Sequence, residues 1–131
     1  MNTTSVGTPR PVRTVLGPVP HTALGITDAH NHAWILAVPG AEPGSPVLDQ
    51  YDSILAELTQ YHEAGGRTLL DCQPAGFGRD ANKLQALSRA SGVQIVACTG
   101  FHRRRYAPDF KTLWSAQADS LSQRFILELT Q

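Results

Sequence analysis

The sequence predicts an α/β fold built on a parallel sheet. Two observations carry this. Segments of strand and helix character alternate after residue 25, and the strand segments are short, nearly continuous apolar runs bounded by Gly, Pro and Asp. Such runs suit strands covered on both faces, as in parallel sheets. Alternation of this kind gives right-handed βαβ units. With 131 residues the chain is long enough for one domain with a core and too short for two.

The elements follow in order. Residues 1–11 are polar, carry two prolines and read as a disordered arm. Val12 to Leu16 predicts a short strand, stopped by Gly17 and Pro18. Gly25 to His30 predicts a strand leading into the pair His30 and His32. VPGAEPGSP, 38–46, is a Gly/Pro-rich loop, too broken for a regular element. Asp49 is the expected N-cap of a helix running to about Ala64, because Tyr51, Ile54, Leu55, Leu58 and Tyr61 recur at helical spacing before Gly65 and Gly66. RTLLDC, 67–72, predicts the next strand. QPAGFG is a loop, and Asp80 caps a helix to about Ser91 with Ala81, Leu84 and Leu87 on one face and Gly92 as its stop. VQIVACTG, 93–100, predicts a third strand of the sheet. A last helix runs from about Ser115 to Leu129, with Ala118, Leu121, Phe125 and Leu129 as its apolar face.

The bulk numbers exclude several functions. Eleven acidic and eleven basic residues give a formal net charge of zero. Nothing global argues for nucleic acid or for an acidic membrane surface. No run approaches a membrane span, and MNTTSVGTPRPVR has no apolar core of a signal peptide. The expectation is a cytoplasmic protein. Cys72 and Cys98 each sit in an apolar run and read as buried, reduced thiols.

Chemistry centres on ITDAHNHAWI, 26–35. On a strand, residues i and i+2 share a face, so His30 and His32 converge while Asn31 points away. Imidazole nitrogen suits a borderline cation such as zinc, and the pair falls at the C-terminal end of a predicted parallel strand, where α/β proteins place their sites. Two ligands do not make a site, so the residues alone leave a metal pair and a hydrogen-bonded loop both open.

Three stretches resemble the phosphotriesterase-like proteins of the amidohydrolase superfamily. They are TVLGPVPHTALGITDAHNH, then AGGRTLLDCQPAGFGRD, then SGVQIVACTGFHRRRYAP. Together they cover roughly residues 12–129 in order. The resemblance implies a (β/α)8 barrel, of which residues 12–131 supply the first three βα units after a short N-terminal strand; a complete barrel takes about 250 residues. It implies a two-metal centre, with zinc as the implied metal and His30 and His32 as ligands to one ion. A bridging lysine on the fourth strand, histidines on the fifth and sixth and an aspartate on the eighth have no counterparts here. Lys83 and Lys111 fall in helix or loop and are no substitute. Asn31 stands where the family commonly has Glu. The implied activity is hydrolysis of a phosphotriester, lactone or other small-molecule ester by a metal-activated hydroxide, with no catalytic residue of its own in this stretch.

Other residues have two readings each. Trp34 is a pocket wall or barrel packing. Phe101 lines the pocket or packs in the core. His102 with Arg103, Arg104 and Arg105 holds a phosphoryl oxygen or forms a solvated basic loop. Asp71 orients a ligand histidine or caps the adjacent loop. Asp28 has a structural polar role, GFGRD is a tight turn feeding an N-cap, and His21 and His62 are surface residues. The rival functional reading is an inactive fragment or association module, pairing with the missing barrel half or with itself through open strand edges. A third reading, a standalone α/β binding protein, needs the last helix to pack without a following strand.

Overall fold

The computed structural model describes residues 10–106 and 113–130. The expected arm lies almost wholly outside the described residues, as does Lys111. The order is Val12–Thr14 (β1), Gly17–Val19 (β2), Ile26–Asn31 (β3), Tyr51–Glu63 (α1), Gly66–Asp71 (β4), Ala81–Ser91 (α2), Gln94–Ala97 (β5) and Ala118–Thr130 (α3). β3, β4 and β5 form one parallel sheet in that order. The α/β class and the three βα units are those the sequence predicts.

The N-terminal strand is shorter than predicted and has a partner. β1 turns back on β2 as an antiparallel hairpin, with Thr14 opposite Gly17 and Arg13 opposite Pro18. Thr14 holds the turn: its hydroxyl donates to Gly17 O at 2.8 Å and accepts from Leu16 N at 3.2 Å. Gly17 and Pro18 therefore do not stop a strand but begin one, and Pro18 is tolerated because the hairpin edge needs no N–H there. Just past β1, Val15 N donates to Ile95 O at 2.8 Å, and Gln85 Nε2 donates to Val15 O at 2.9 Å. These two bonds fasten the hairpin to β5 and α2.

Helix α1 is capped by Gln50, not by Asp49, and Gln50 makes no side-chain cap bond. The Asp49 carboxylate is instead engaged by Gln50 Nε2 at 2.8 Å. The predicted apolar face is correct: Leu58 is buried, and Tyr51, Ile54, Leu55 and Tyr61 pack against the same core. Helix α2 begins where expected. Asp80 accepts from Asn82 N at 2.9 Å and Lys83 N at 3.1 Å, satisfying two free amides of the first turn. Gly92 ends it in the left-handed region at φ 76°, with its N–H on Ser88 O. Leu84 and Leu87 are fully buried, but Ala81 is exposed in the first turn.

The core lies between the sheet and the two helices, and joins Trp34, Leu58, Leu69, Leu84, Leu87 and Ile95. Leu69 and Ile95 face this core; their neighbours Leu70 and Val96 are only half-buried. So the described residues cover the second face less completely than the first: Leu70 and Val96 are half-buried there, and Thr68 is fully buried. Cys72 and Cys98 are likewise half-buried rather than buried, and both are free thiols. His62 is not a surface residue. It is half-buried against Gly92, where an added Cβ would meet its ring at 3.3 Å.

Helix α3 starts later than Ser115, because Leu113–Ser115 forms a separate 3-10 turn. Of its predicted face, Leu121 and Phe125 are half-buried, while Ala118 and Leu129 are exposed. Among the described residues no helix is long and apolar enough to cross a membrane.

Candidate active site

The site begins with an irregularity in β3. Asp28 sits opposite Leu69 and Asn31 opposite Asp71, so β3 advances three residues while β4 advances two. This is a bulge, and bulges bend a strand and re-aim its side chains. Asp28 holds it. One carboxylate oxygen accepts from His30 N at 3.2 Å, and the other from Asn31 Nδ2 at 2.7 Å. Asn31 Oδ1 in turn accepts from His32 N at 2.8 Å. The structural role expected of Asp28 is this one. Asn31 does not simply point away from the histidines, because the bulge breaks strict alternation: it borders the same cavity as His32.

The bulge leaves the His30 and His32 rings edge to face, with centroids 5.9 Å apart. His30 is exposed and His32 half-buried. His32 Nδ1 is buried and has no hydrogen-bond partner among the described residues. A third imidazole stands nearby: the His102 ring, from the loop after β5, is 5.8 Å from His32. Burial lowers the His102 pKa below its ordinary value, and the nearby His32 and His30 charges lower it further.

Asp71, the last residue of β4, is fully buried. Its Oδ1 accepts from Ala33 N at 2.8 Å, so it grips the backbone immediately after His32. Its Oδ2 is buried as well. Burial pushes the carboxyl pKa up, while the Ala33 amide, the His32 imidazole, the Gln73 amide and Arg79 oppose that shift. Asp71 thus touches the segment of His32 through main chain rather than through the ring.

Beside His32 lies a cavity of about 460 Å³. Its wall comes chiefly from the loop 35–48, which the sequence shows only as broken by Gly and Pro. The loop is closed at its base by a two-way bridge, Ile35 N to Leu48 O at 2.9 Å and Leu48 N to Ile35 O at 2.8 Å. Its middle is tied by Glu42 N to Arg105 O at 2.9 Å, and its start by Leu36 N to Gly78 O at 2.8 Å. Phe77 forms the floor; Gln73 Nε2 donates to its carbonyl. The apolar pieces ILAV and VL flanking the Gly/Pro stretch were the available signal for this wall.

The other expected site residues divide. His102 lines the cavity. Phe101 instead packs on Phe77 and Phe125, at ring distances of 6.3 and 5.4 Å. Trp34 is in the main core, 3% exposed, with Lys83 Nζ 5.3 Å from its ring centre. Arg103, Arg104 and Arg105 are exposed, and Arg105 stacks on Tyr106 at 4.6 Å. Among the described residues no group of three or more His, Cys, Asp or Glu is placed to hold a metal ion.

A family model, the phosphotriesterase family, matches residues 10–131. The chain belongs to the phosphotriesterase family. A phospho-furanose lactonase of Mycoplasmopsis agalactiae is 28% identical over 132 residues, covering 92% of this chain and 35% of that protein. An N-acetyltaurine hydrolase of Salmo salar is 27% identical over 121 residues, covering 70% of this chain and 35% of that protein. An amidohydrolase structure from Mycoplasma synoviae superposes with a TM-score of 0.83 at 26% identity, over 94% of this chain and 36% of that one. The chain therefore spans about 35% of the length of these family relatives and carries the first part of their barrel.

Proposed function

We propose that this chain provides the first-strand metal ligands and part of the substrate pocket of a metal-dependent hydrolase that acts on ester bonds. The observation that carries the reading is the histidine pair. His30 and His32 stand together at the C-terminal end of the first sheet strand, and His32 Nδ1 is buried with its bonding capacity unused. An orphaned buried imidazole nitrogen fits a zinc-type cation, for which it is a preferred donor. A divalent metal bound at such a site supplies a nucleophile at neutral pH and polarises the scissile group. The residues of this chain do the rest by positioning. Asp28 fixes the bulge that turns His30 and His32 toward one another. Asp71 holds the Ala33 amide and with it the backbone of His32. The wall of loop 35–48 screens one side of the site from water.

The names of the relatives span a lactone and an amide; the reading is confined to the ester class, of which the lactone is a member. The test is turnover of a lactone, a carboxylic ester and a phosphotriester by the chain with added zinc. Hydrolysis that disappears in His30→Ala and in His32→Ala supports the reading. Hydrolysis that survives both substitutions removes it.

A second reading rests on one observation, that among the described residues no group of three or more His, Cys, Asp or Glu is placed to hold a metal ion. In it the chain turns nothing over alone and pairs through its open sheet with the remaining barrel strands or with a second copy. No turnover by the chain, restored on adding the missing strands, is the outcome it expects.

A further inference from the structure

The chain has two cysteines, both free thiols, and the sheet brings them side by side. We propose that Cys72 and Cys98 form a reversible oxidation site, closing to a disulfide across the ends of β4 and β5 when they meet a small disulfide such as oxidised glutathione.

The parallel ladder sets the pair. Leu69 is level with Ile95, Leu70 with Val96 and Asp71 with Ala97. One step on, Cys72 is level with Cys98, and the bond that carries the register forward, Cys98 N to Asp71 O at 3.1 Å, is made. Residues level on adjacent parallel strands put their side chains on one face, here the face of Leu70 and Val96. Adjacent strands lie about 4.8 Å apart, inside the roughly 4.4–6.8 Å between Cα atoms that a disulfide spans. Each cysteine is the first residue past its strand. Drawing the Cβ atoms to the roughly 3.8 Å that a disulfide prefers therefore disturbs the end of the sheet and not its middle. Little holds the reduced thiols in place: Cys72 Sγ makes only a weak contact, 3.7 Å from Leu70 O. Both residues are half-buried rather than sealed in the core, and Cys98 lines the cleft between the hairpin, α2 and α3, where a small reagent reaches it. Burial pushes the Cys98 thiol pKa up, while the charge of Arg79, whose guanidinium donates to Cys98 O, opposes that shift. The chemistry is thiol–disulfide exchange. One thiolate of the pair attacks a sulfur of oxidised glutathione, whose S–S bond breaks and releases one glutathione. The other thiolate attacks the mixed disulfide and releases the second. Two protein thiols are oxidised, one disulfide is reduced, and the two thiol protons pass to the two glutathiones. Accessible disulfides of this kind are the readily reduced ones, so the step reverses.

The experiment equilibrates the full reduced chain with mixtures of reduced and oxidised glutathione, a chelator being present. An acid quench and alkylation of the remaining thiols follow, then whole-chain masses and a peptide map. The native chain should lose both thiols in one transition, with loss of the mass of two hydrogens and a link between the peptides of Cys72 and Cys98. Excess reduced glutathione should restore both thiols. Because the fold holds the pair together, oxidation should need a glutathione mixture at least about tenfold less oxidising than for the same chain in urea, measured as the ratio of reduced glutathione squared to oxidised. Cys72→Ser and Cys98→Ser, each left with one thiol, should instead accumulate a mixed disulfide with glutathione. Should a serine variant fail to fold, the wild-type map and the urea comparison decide the matter without it. A native chain that carries glutathione on either cysteine and lacks the Cys72–Cys98 link overturns the proposal. So does a link that joins two chains, or a pair no easier to oxidise in the folded chain than in urea.

Discussion

Asp71 is a carboxyl group held where water does not reach, and burial disfavours its charge. Its folded-state pKa lies above the ordinary 3.8 because burial disfavours the charge. Between 3.8 and the raised value the folded chain binds more protons than the unfolded chain, so this group's contribution to stability falls as pH rises through that window and then levels. Asp71→Asn keeps an oxygen for the Ala33 amide and cannot titrate. Urea unfolding of the metal-free protein from pH 4 upward should show the variant gaining on the wild type as pH rises; a constant difference would mean that burial of the charge is not felt. Gly78 is the second telling residue. It sits at φ +100°, and a Cβ there would fall 2.4 Å from Leu36 O. Gly78→Ala should cost roughly 2 kcal/mol or more in thermal or urea unfolding and should loosen the cavity wall that Leu36 begins. The histidines were legible in the sequence as a pair because H-x-H is a local pattern. Asp71's bond to Ala33 was not, because 38 positions separate the two.

The elements β3, β4 and α1 are joined at one side chain. The Tyr61 hydroxyl, from α1, accepts from Asp28 N at 3.0 Å and lies against Ile26 O at 3.1 Å and Thr68 O at 2.9 Å. It fills the gap that the register slip between Ile26 and Thr27 opens in the β3–β4 ladder. Tyr61→Phe should therefore lower stability by about 1–3 kcal/mol, and it should also disturb the amides of Asp28 and His30 in an exchange experiment, although Tyr61 is on the far element. Periodicity placed Tyr61 correctly on the inner face of α1, and the capping residue and glycine placed α2 almost to the residue. What periodicity missed were features with no period: the β1–β2 hairpin, set by the Thr14 side chain, and the bulge, set by the Asp28 side chain. Loop 35–48 was missed for the same reason. Gly and Pro mark it as irregular, but its shape comes from bonds to Leu48, Gly78 and Arg105.

For the whole molecule, the fold class follows from alternation alone, while the barrel follows only from family membership, since three parallel strands are compatible with several α/β architectures. The sheet has a helix-covered face with Leu69 and Ile95 and a second face with the half-buried Leu70 and Val96. Stability should rest on the covered face. Leu87→Ala, at a fully buried position of α2, should cost about 2–5 kcal/mol in urea unfolding, whereas Leu129→Ala on α3, 55% exposed, should cost little. Metal binding by the histidine pair is open to cobalt titration of the metal-free chain, read by its visible ligand-field bands. The bands should saturate with one site per chain and vanish in His30→Ala and in His32→Ala alike. Bands of undiminished intensity in the double substitution would show that the ion sits elsewhere.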